Sequence, residues 1–208
     1  MADSLLDLGT TPVFPLEPNW VSNPTTNISV ARRVIGYPGT IQALFQITDD
    51  VPVTFTEKFT IYNKTDENTI LNFFHARKGR NQRFWVKHPR KHFTLKETAS
   101  SGAVTMVCEP NNADKQWQGY ERIYIVMGTG DILTRKVNSV TYDAVNEEIN
   151  LTLNNSLDRD VTTSNQILIG RLLLCRFDSD EMNIRWHSTV TSDFSLKFYE
   201  LVKEYSSA

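Results

Sequence analysis

Eighteen residues, His75 to His92, carry most of the chemistry this chain offers: HARKGRNQRFWVKHPRKH. Seven arginines and lysines, three of the four histidines and a Phe-Trp pair stand there without one carboxylate. Three chemistries compete for them. Histidines at 75, 88 and 92 suggest metal ligation, but ligand imidazoles must converge while neutral, and seven cations oppose a divalent ion. No metal is expected. Arg80, Arg83 and Lys87 interleaved with Phe84 and Trp85 suit a single nucleic-acid strand, with phosphates on the cations and bases stacked on the rings. The same residues suit a protein interface, where arginine–carboxylate pairs surround an aromatic anchor. A plain solvated surface explains the charges but leaves Trp85 without a role, unless strand alternation turns it inward.

Other motifs fall away on inspection. Gly128-Thr129-Gly130 precedes a strand-like stretch, not a helix whose amides could hold a phosphate, so it reads as a hairpin turn. Asp178-Ser179-Asp180-Glu181 lacks the glycine and glutamate of a calcium loop and reads as a solvated turn. His187 has no serine elbow to serve. Cys108 (VTMVCEP) and Cys175 (RLLLCRF) sit in apolar surroundings with no second cysteine at ligand spacing, which predicts buried free thiols. No catalytic residue and no cofactor is expected. An aromatic shelf at Trp117 and Tyr120 would suit a carbohydrate.

The elements that must position these residues are mostly strands. VTFTEKFTIY puts Val53, Phe55, Glu57, Phe59 and Ile61 on one parity and threonines and Lys58 on the other, the period of a half-buried strand. Glu57 on the apolar face predicts a bend or an edge there. NKTDENTILNFFHARKGR changes period: Thr65 or Asp66 can cap a helix and Glu67 suits its first turn. Ile70, Leu71 and Phe74 form a stripe, cations occupy the last turn, and Gly79 stops it. RIYIVM, ILTRKVNSVTYD, INLTL, QILIGRLLLCRF and MNIRWHSTV follow as strands. FSLKFYELVKEY can be drawn as strand or helix, and its branched and aromatic content favours strand. The fold expected is all-β, a sandwich or barrel, with one short α-helix and an extended N-terminal arm. The arm covers residues 1–28, broken by Pro12, Pro15, Pro18 and Pro24. The β-rich core covers 29–205, with a possible split near 108–121.

The totals narrow the function. Formal net charge is -2, so the basic segment is a local asymmetry, and a dedicated nucleic-acid binder would carry a larger positive excess. MADSLLDLGT has neither the basic nor the apolar region of a signal peptide. No apolar run is long enough to cross a bilayer as a helix.

ILNFFHARKGRNQRFWVKHPRKHFTL resembles a recurring passage in distal-tail and tail-tip (baseplate) structural proteins of long-tailed bacteriophages. GRLLLCRFDSDEMNIRW, with FSLKFYELV after it, is similar to the closing part of the same proteins, and together the similarity covers most of residues 50 to 205. The resemblance implies a non-enzymatic virion protein made in the host cytoplasm. It would form a homo-oligomeric ring or adaptor, six-fold or three-fold, between the tail tube protein and the hub or other baseplate proteins. Neither a membrane nor a specific nucleic acid would be a partner. By position, Phe73, Phe74, Phe84 and Trp85 match the first passage, and Phe177 and Trp186 the second, as core or lock residues. Arg77, Arg80, Arg83, Lys87, Arg90 and Lys91 would face neighbouring subunits, with Asp178, Asp180 and the arm residues Phe14 and Trp20.

Overall fold

The computed structural model describes residues 3–16, 25–28, 32–35, 43–46, 53–88, 91–111, 122–189 and 191–201. In chain order these form β1 (Ser4–Leu5), β2 (Thr25–Ile28), β3 (Arg32–Ile35), β4 (Ala43–Gln46), β5 (Val53–Ile61), α1 (Lys64–Arg77) and a 3-10 turn, Gly79–Asn81. There follow β6 (Phe84–Lys87), β7 (Thr105–Cys108), β8 (Arg122–Met127), β9 (Ile132–Asp143), β10 (Glu148–Leu153), β11 (Gln166–Phe177), β12 (Ile184–Trp186) and β13 (Ser192–Glu200). The fold is all-β with a single helix among the described residues, as the alternating patterns predict.

Two compact units divide the chain. The first takes residues 1–13, 85–173 and 205–208; the second takes 14–84 and 174–204. The boundaries therefore fall at 13/14, 84/85, 173/174 and 204/205, and β6 and β11 each contribute to both units. A contiguous arm and core cannot be cut from this arrangement, because the second unit closes only when strands from both ends of the chain pair.

In the first unit, β8, β9, β10 and β7 pair in sequence as an antiparallel sheet, and the beginning of β11 pairs with β8. Gly128–Gly130 turns the β8–β9 hairpin, where the Met127 N–H donates to Asp131 O and the Gly130 N–H to Met127 O. Ile123, Ile125, Leu133, Val137, Ile149, Leu151 and Ile169 fill one face, joined by Phe93, Leu95, Met106 and Cys108. Each such aliphatic side chain contributes roughly 1.5–3 kcal/mol by leaving water. Arg135, also fully buried, is held by Ser156 O, Thr134 O and the Asp158 carboxylate. Burial pulls the pKa of that guanidinium below its ordinary value, while Asp158 and Asp7 oppose the shift.

The start of the chain is woven into this unit. β1 lies parallel to β9, with Ser4 beside Leu133 and Leu5 beside Thr134. Asp7, at φ 66, accepts the Lys136 N–H and the side-chain amides of Asn154 and Asn155. Leu8 is buried, Val13 bridges Trp85, and the Trp85 N–H donates to Pro12 O at 2.8 Å. The described part of the expected arm is thus sheet edge, anchored by a carboxylate whose role no periodicity announces. Residues 17–24, with Trp20, lie outside the described residues.

In the second unit, β5 is central, paired with β2 on one side and β13 on the other. β12 and the end of β11 both pair with β13 along its remaining edge. Phe55, Phe59 and Ile61 are buried on one parity of β5, as alternation requires. Glu57 shares that face and is buried mid-strand, which corrects the expectation of a bend or edge. Strand parity alone turns its β-carbon to the face of Phe55 and Phe59, while Lys58 on the other parity is exposed. β13 settles the strand-or-helix ambiguity as strand, with Ser192, Phe194, Leu196, Phe198 and Glu200 inward. Residues 202–205 of that stretch lie outside the described residues.

Phe14 is the centre of the second unit's core, only 2% exposed. Its ring lies 5.3 Å from Phe59, 5.5 Å from Phe73 and 5.5 Å from Phe198, tilted or edge-on in each case. Such pairs add about 0.5–1.5 kcal/mol beyond burial. A ring committed in this way is not available to a neighbouring subunit, so the interface role expected of Phe14 is corrected to a core role. α1 lays Ile70 and Phe74 on the same core, Phe74 at 4.8 Å from Phe177. Asn63 caps the helix, its side chain accepting the Asp66 N–H at 2.8 Å, two or three positions earlier than the sequence suggests.

Candidate functional site

Within residues 75–92 the chain passes from the second unit to the first between Phe84 and Trp85, so the two parts belong to different units. Their aromatic members point inward. Phe84 and Trp85 are both 0% exposed; Phe84 packs 4.6 Å from Phe177, and the Arg122 guanidinium stands 4.6 Å over the Trp85 ring. Phe74 and Phe177 are buried as well, and Phe73 is half-buried. Arg122 is itself buried and donates to Asp7 O. Sequence reading had no signal for this Arg122–Trp85 stack.

The cations divide by position. Lys78 and Arg80 are exposed, as is Lys91; Arg77 and Arg83 are half-buried, and Lys87 is buried. Arg77 lies 5.8 Å over Phe73. Arg90 lies outside the described residues. In the second unit the exposed pair flanks Gly79 on a tight turn at the end of α1. Lys78 takes the left-handed conformation, φ 52, and its N–H donates to His75 O and Phe74 O. Gly79 follows at φ 58, where glycine has no steric penalty.

Asp180 completes the turn. Its Oδ1 accepts the Arg80 N–H at 2.9 Å, and a β-carbon on Gly79 would lie 2.5 Å from that oxygen. The neighbouring Asp178 pairs with Lys197 at 2.7 Å, and its N–H donates to Lys197 O. Both carboxylates thus hold partners within the second unit, while Asp180 remains exposed and Asp178 half-buried. Asp180 holds the basic turn in one shape, and Asp178 ties the same loop to β13. Trp186, expected as a core or lock residue, is not part of the core: it is 57% exposed, on the three-residue edge strand β12 that pairs with β13 and sets it beside Ser192.

The histidines do not gather around a common point. His75 is exposed in the last turn of α1. His88 and His92 stack edge to face at 4.9 Å in the first unit, and the His92 Nδ1 faces the Arg171 N–H at 3.4 Å. Among the described residues no group of three His, Cys, Asp or Glu could hold a metal ion. A concavity of about 430 Å³ opens beside the β8–β9 turn, lined by Thr129, Asp131, Asp158, Arg159, Asp160 and their neighbours. Its polar groups are tied to one another: Asp131 to Arg159 at 3.0 Å and to Thr129 at 2.9 Å, Asp160 to the Ser101 N–H at 2.7 Å. The arrangement pins three loops together.

The two thiols are free and buried. Burial pushes Cys108 up to about 12, with Glu109 adding to the shift, and Cys175 is also raised, by burial first and then by Glu200 and Glu57. Among the described residues no helix is long and apolar enough to cross a membrane.

The geometry defines an all-β protein that displays a fixed basic turn. No family model matches the chain. No curated protein matches it either.

Proposed function

We propose that the protein is a structural component of a bacteriophage tail tip, an oligomeric ring or adaptor between the tail tube and the baseplate or hub. The observation that carries this reading is the separation of charge from aromatic surface. Lys78 and Arg80 face solvent on a turn fixed by Asp180, while Phe84 and Trp85 are wholly buried. A single-strand binder needs exposed rings on which bases stack. With those rings inside, the turn offers charge at a fixed position, which is what guides docking and register between protein subunits. The phrases shared with tail-tip proteins supply the particle in which such docking would occur. The Trp117–Tyr120 shelf of a carbohydrate reading lies outside the described residues.

The test has two arms. Native mass spectrometry of the purified chain at high concentration should give a closed oligomer of defined size, and the chain should be present in finished particles. A strictly monomeric protein absent from particles would refute the reading. Titration with single-stranded oligonucleotides should show no micromolar binding; affinity of that order, falling steeply with salt, would favour the nucleic-acid alternative.

A further inference from the structure

The β9–β10 hairpin has no part in the site described above, yet its tip is built with care. Asp143 Oδ1 accepts the N–H groups of Val145 (2.8 Å) and Asn146 (3.3 Å), and its Oδ2 accepts the Asn146 side-chain amide at 2.9 Å. From beneath, Lys96 Nζ donates to Asn146 O at 2.8 Å and pairs with Glu148 at 3.1 Å. Five polar contacts thus hold a turn of four residues. What they hold up is Val145, 91% exposed, beside exposed Tyr142 and Glu147. One exposed valine needs no explanation. A turn this constrained, with an apolar tip and an exposed carboxylate, has lost beforehand much of the freedom that binding would remove.

The tip and the basic turn are opposite in sign. At the hairpin Asp143, Glu147 and Glu148 outnumber Lys96. At the end of α1 exposed Lys78 and Arg80, with half-buried Arg77 and Arg83, outnumber Asp180 and the adjoining Glu181, Asp178 being paired with Lys197. Both are preorganised, one by Asp143 and the other by Asp180.

We infer that the acidic β9–β10 hairpin tip of one copy docks on the basic Lys78–Arg80 turn of the next, a heterologous contact between copies of this chain. The inference rests on the ring reading above and names the surfaces that make it. Glu147 pairs with Arg80 or Lys78, and Val145 lies against the aliphatic stems of those cations, which offer apolar surface below their charged heads. Two different surfaces on one chain generate a ring when the rotation between copies closes.

The test is charge reversal in the full-length chain, with assembly read by analytical ultracentrifugation. Glu147→Arg and Arg80→Glu each place like charges across the contact, and each should weaken assembly by about tenfold or more. The double variant restores opposite charges and should recover most of the loss. Circular dichroism of each variant should match the parent, since both side chains are exposed. Val145→Asp should weaken assembly as Glu147→Arg does. If the parent assembles and these variants assemble equally well, or the double variant shows no recovery, the tip contact is overturned while the ring reading stands. If rings form normally but the tip variants fail to enter particles, the tip faces another virion protein and the inference is equally overturned. A parent that never assembles removes both.

Discussion

The carboxylate of Asp180 occupies the place a side chain on Gly79 would need. A β-carbon at Gly79 would come 2.5 Å from Asp180 Oδ1 and 3.0 Å from the Asp180 Cα. Gly79 also sits at φ 58, so Gly79→Ala combines backbone strain with a steric conflict against main chain. It should destabilise the protein by about 2 kcal/mol or more. Asp180→Ala, which frees the Arg80 N–H, should cost about 1 kcal/mol, and Asp180→Asn, which keeps an acceptor oxygen, less. Urea unfolding of the three variants gives this order; equal losses would show that the turn is held by something else.

Phe14 should behave as a core residue of the second unit. Removing a ring packed on Phe59, Phe73 and Phe198 leaves a large cavity, so Phe14→Ala should lower stability by roughly 3–5 kcal/mol, with Phe14→Leu milder. Denaturant midpoints of the isolated chain measure this without any partner present. A variant of normal stability that fails only in assembly would return Phe14 to the interface.

Neither thiol should react in the native protein. Burial holds Cys108 at about 12 and raises Cys175 well above the ordinary thiol value, so the thiolate is scarce as well as inaccessible. Ellman's reagent at pH 8 should titrate no thiol until guanidinium is added, and then two per chain. Rapid release of either one in the absence of denaturant would contradict the buried geometry.

Acid should loosen the hairpin tip. Three hydrogen bonds, chiefly the Val145 N–H and then those from Asn146, hold the Asp143 carboxyl below its ordinary value. A depressed folded pKa means the contribution is complete above the unfolded value, about 4, and is lost as pH falls through the folded value. Protection of the Val145 and Asn146 amides, measured against the free-peptide exchange rate at each pH, should therefore hold down to about pH 4 and fall below it. Asp143→Ala should abolish that pH dependence.

The strands and the helix were legible because burial imposes a period. VTFTEKFTIY alternates, and α1 carries Ile70 and Phe74 one turn apart, so patterns of two and 3.6 located both elements. What escaped depended on partners distant in sequence. Asp7 is an ordinary polar residue until Lys136, Asn154 and Asn155 surround it, and Glu57 looks misplaced until its strand proves central. Phe14 among prolines reads as an arm because proline reports local backbone only and says nothing of the core its neighbour fills. Trp186 misled in the opposite sense, since an aromatic in a strand is usually internal, yet an edge strand of three residues leaves it uncovered. At the candidate site, the run of cations was plain from sequence. Which of them face water, and that Asp178 and Asp180 hold partners within the second unit, required the fold.

The pairing of β5 with β13 sets Ile61 beside Ser192 and Tyr199 beside Thr54. A ribosome delivers the first strand of that ladder long before the second. Throughout translation of the intervening residues, β5 has a bare hydrogen-bonding edge, and Phe55 and Phe59 lack the cover of Phe198 and Phe194, an invitation to aggregate. Contacts this distant along the chain are slow to form. Yield in a heterologous host should therefore depend on growth temperature and on chaperones that shield nascent chains, and truncation anywhere before residue 192 should give insoluble product.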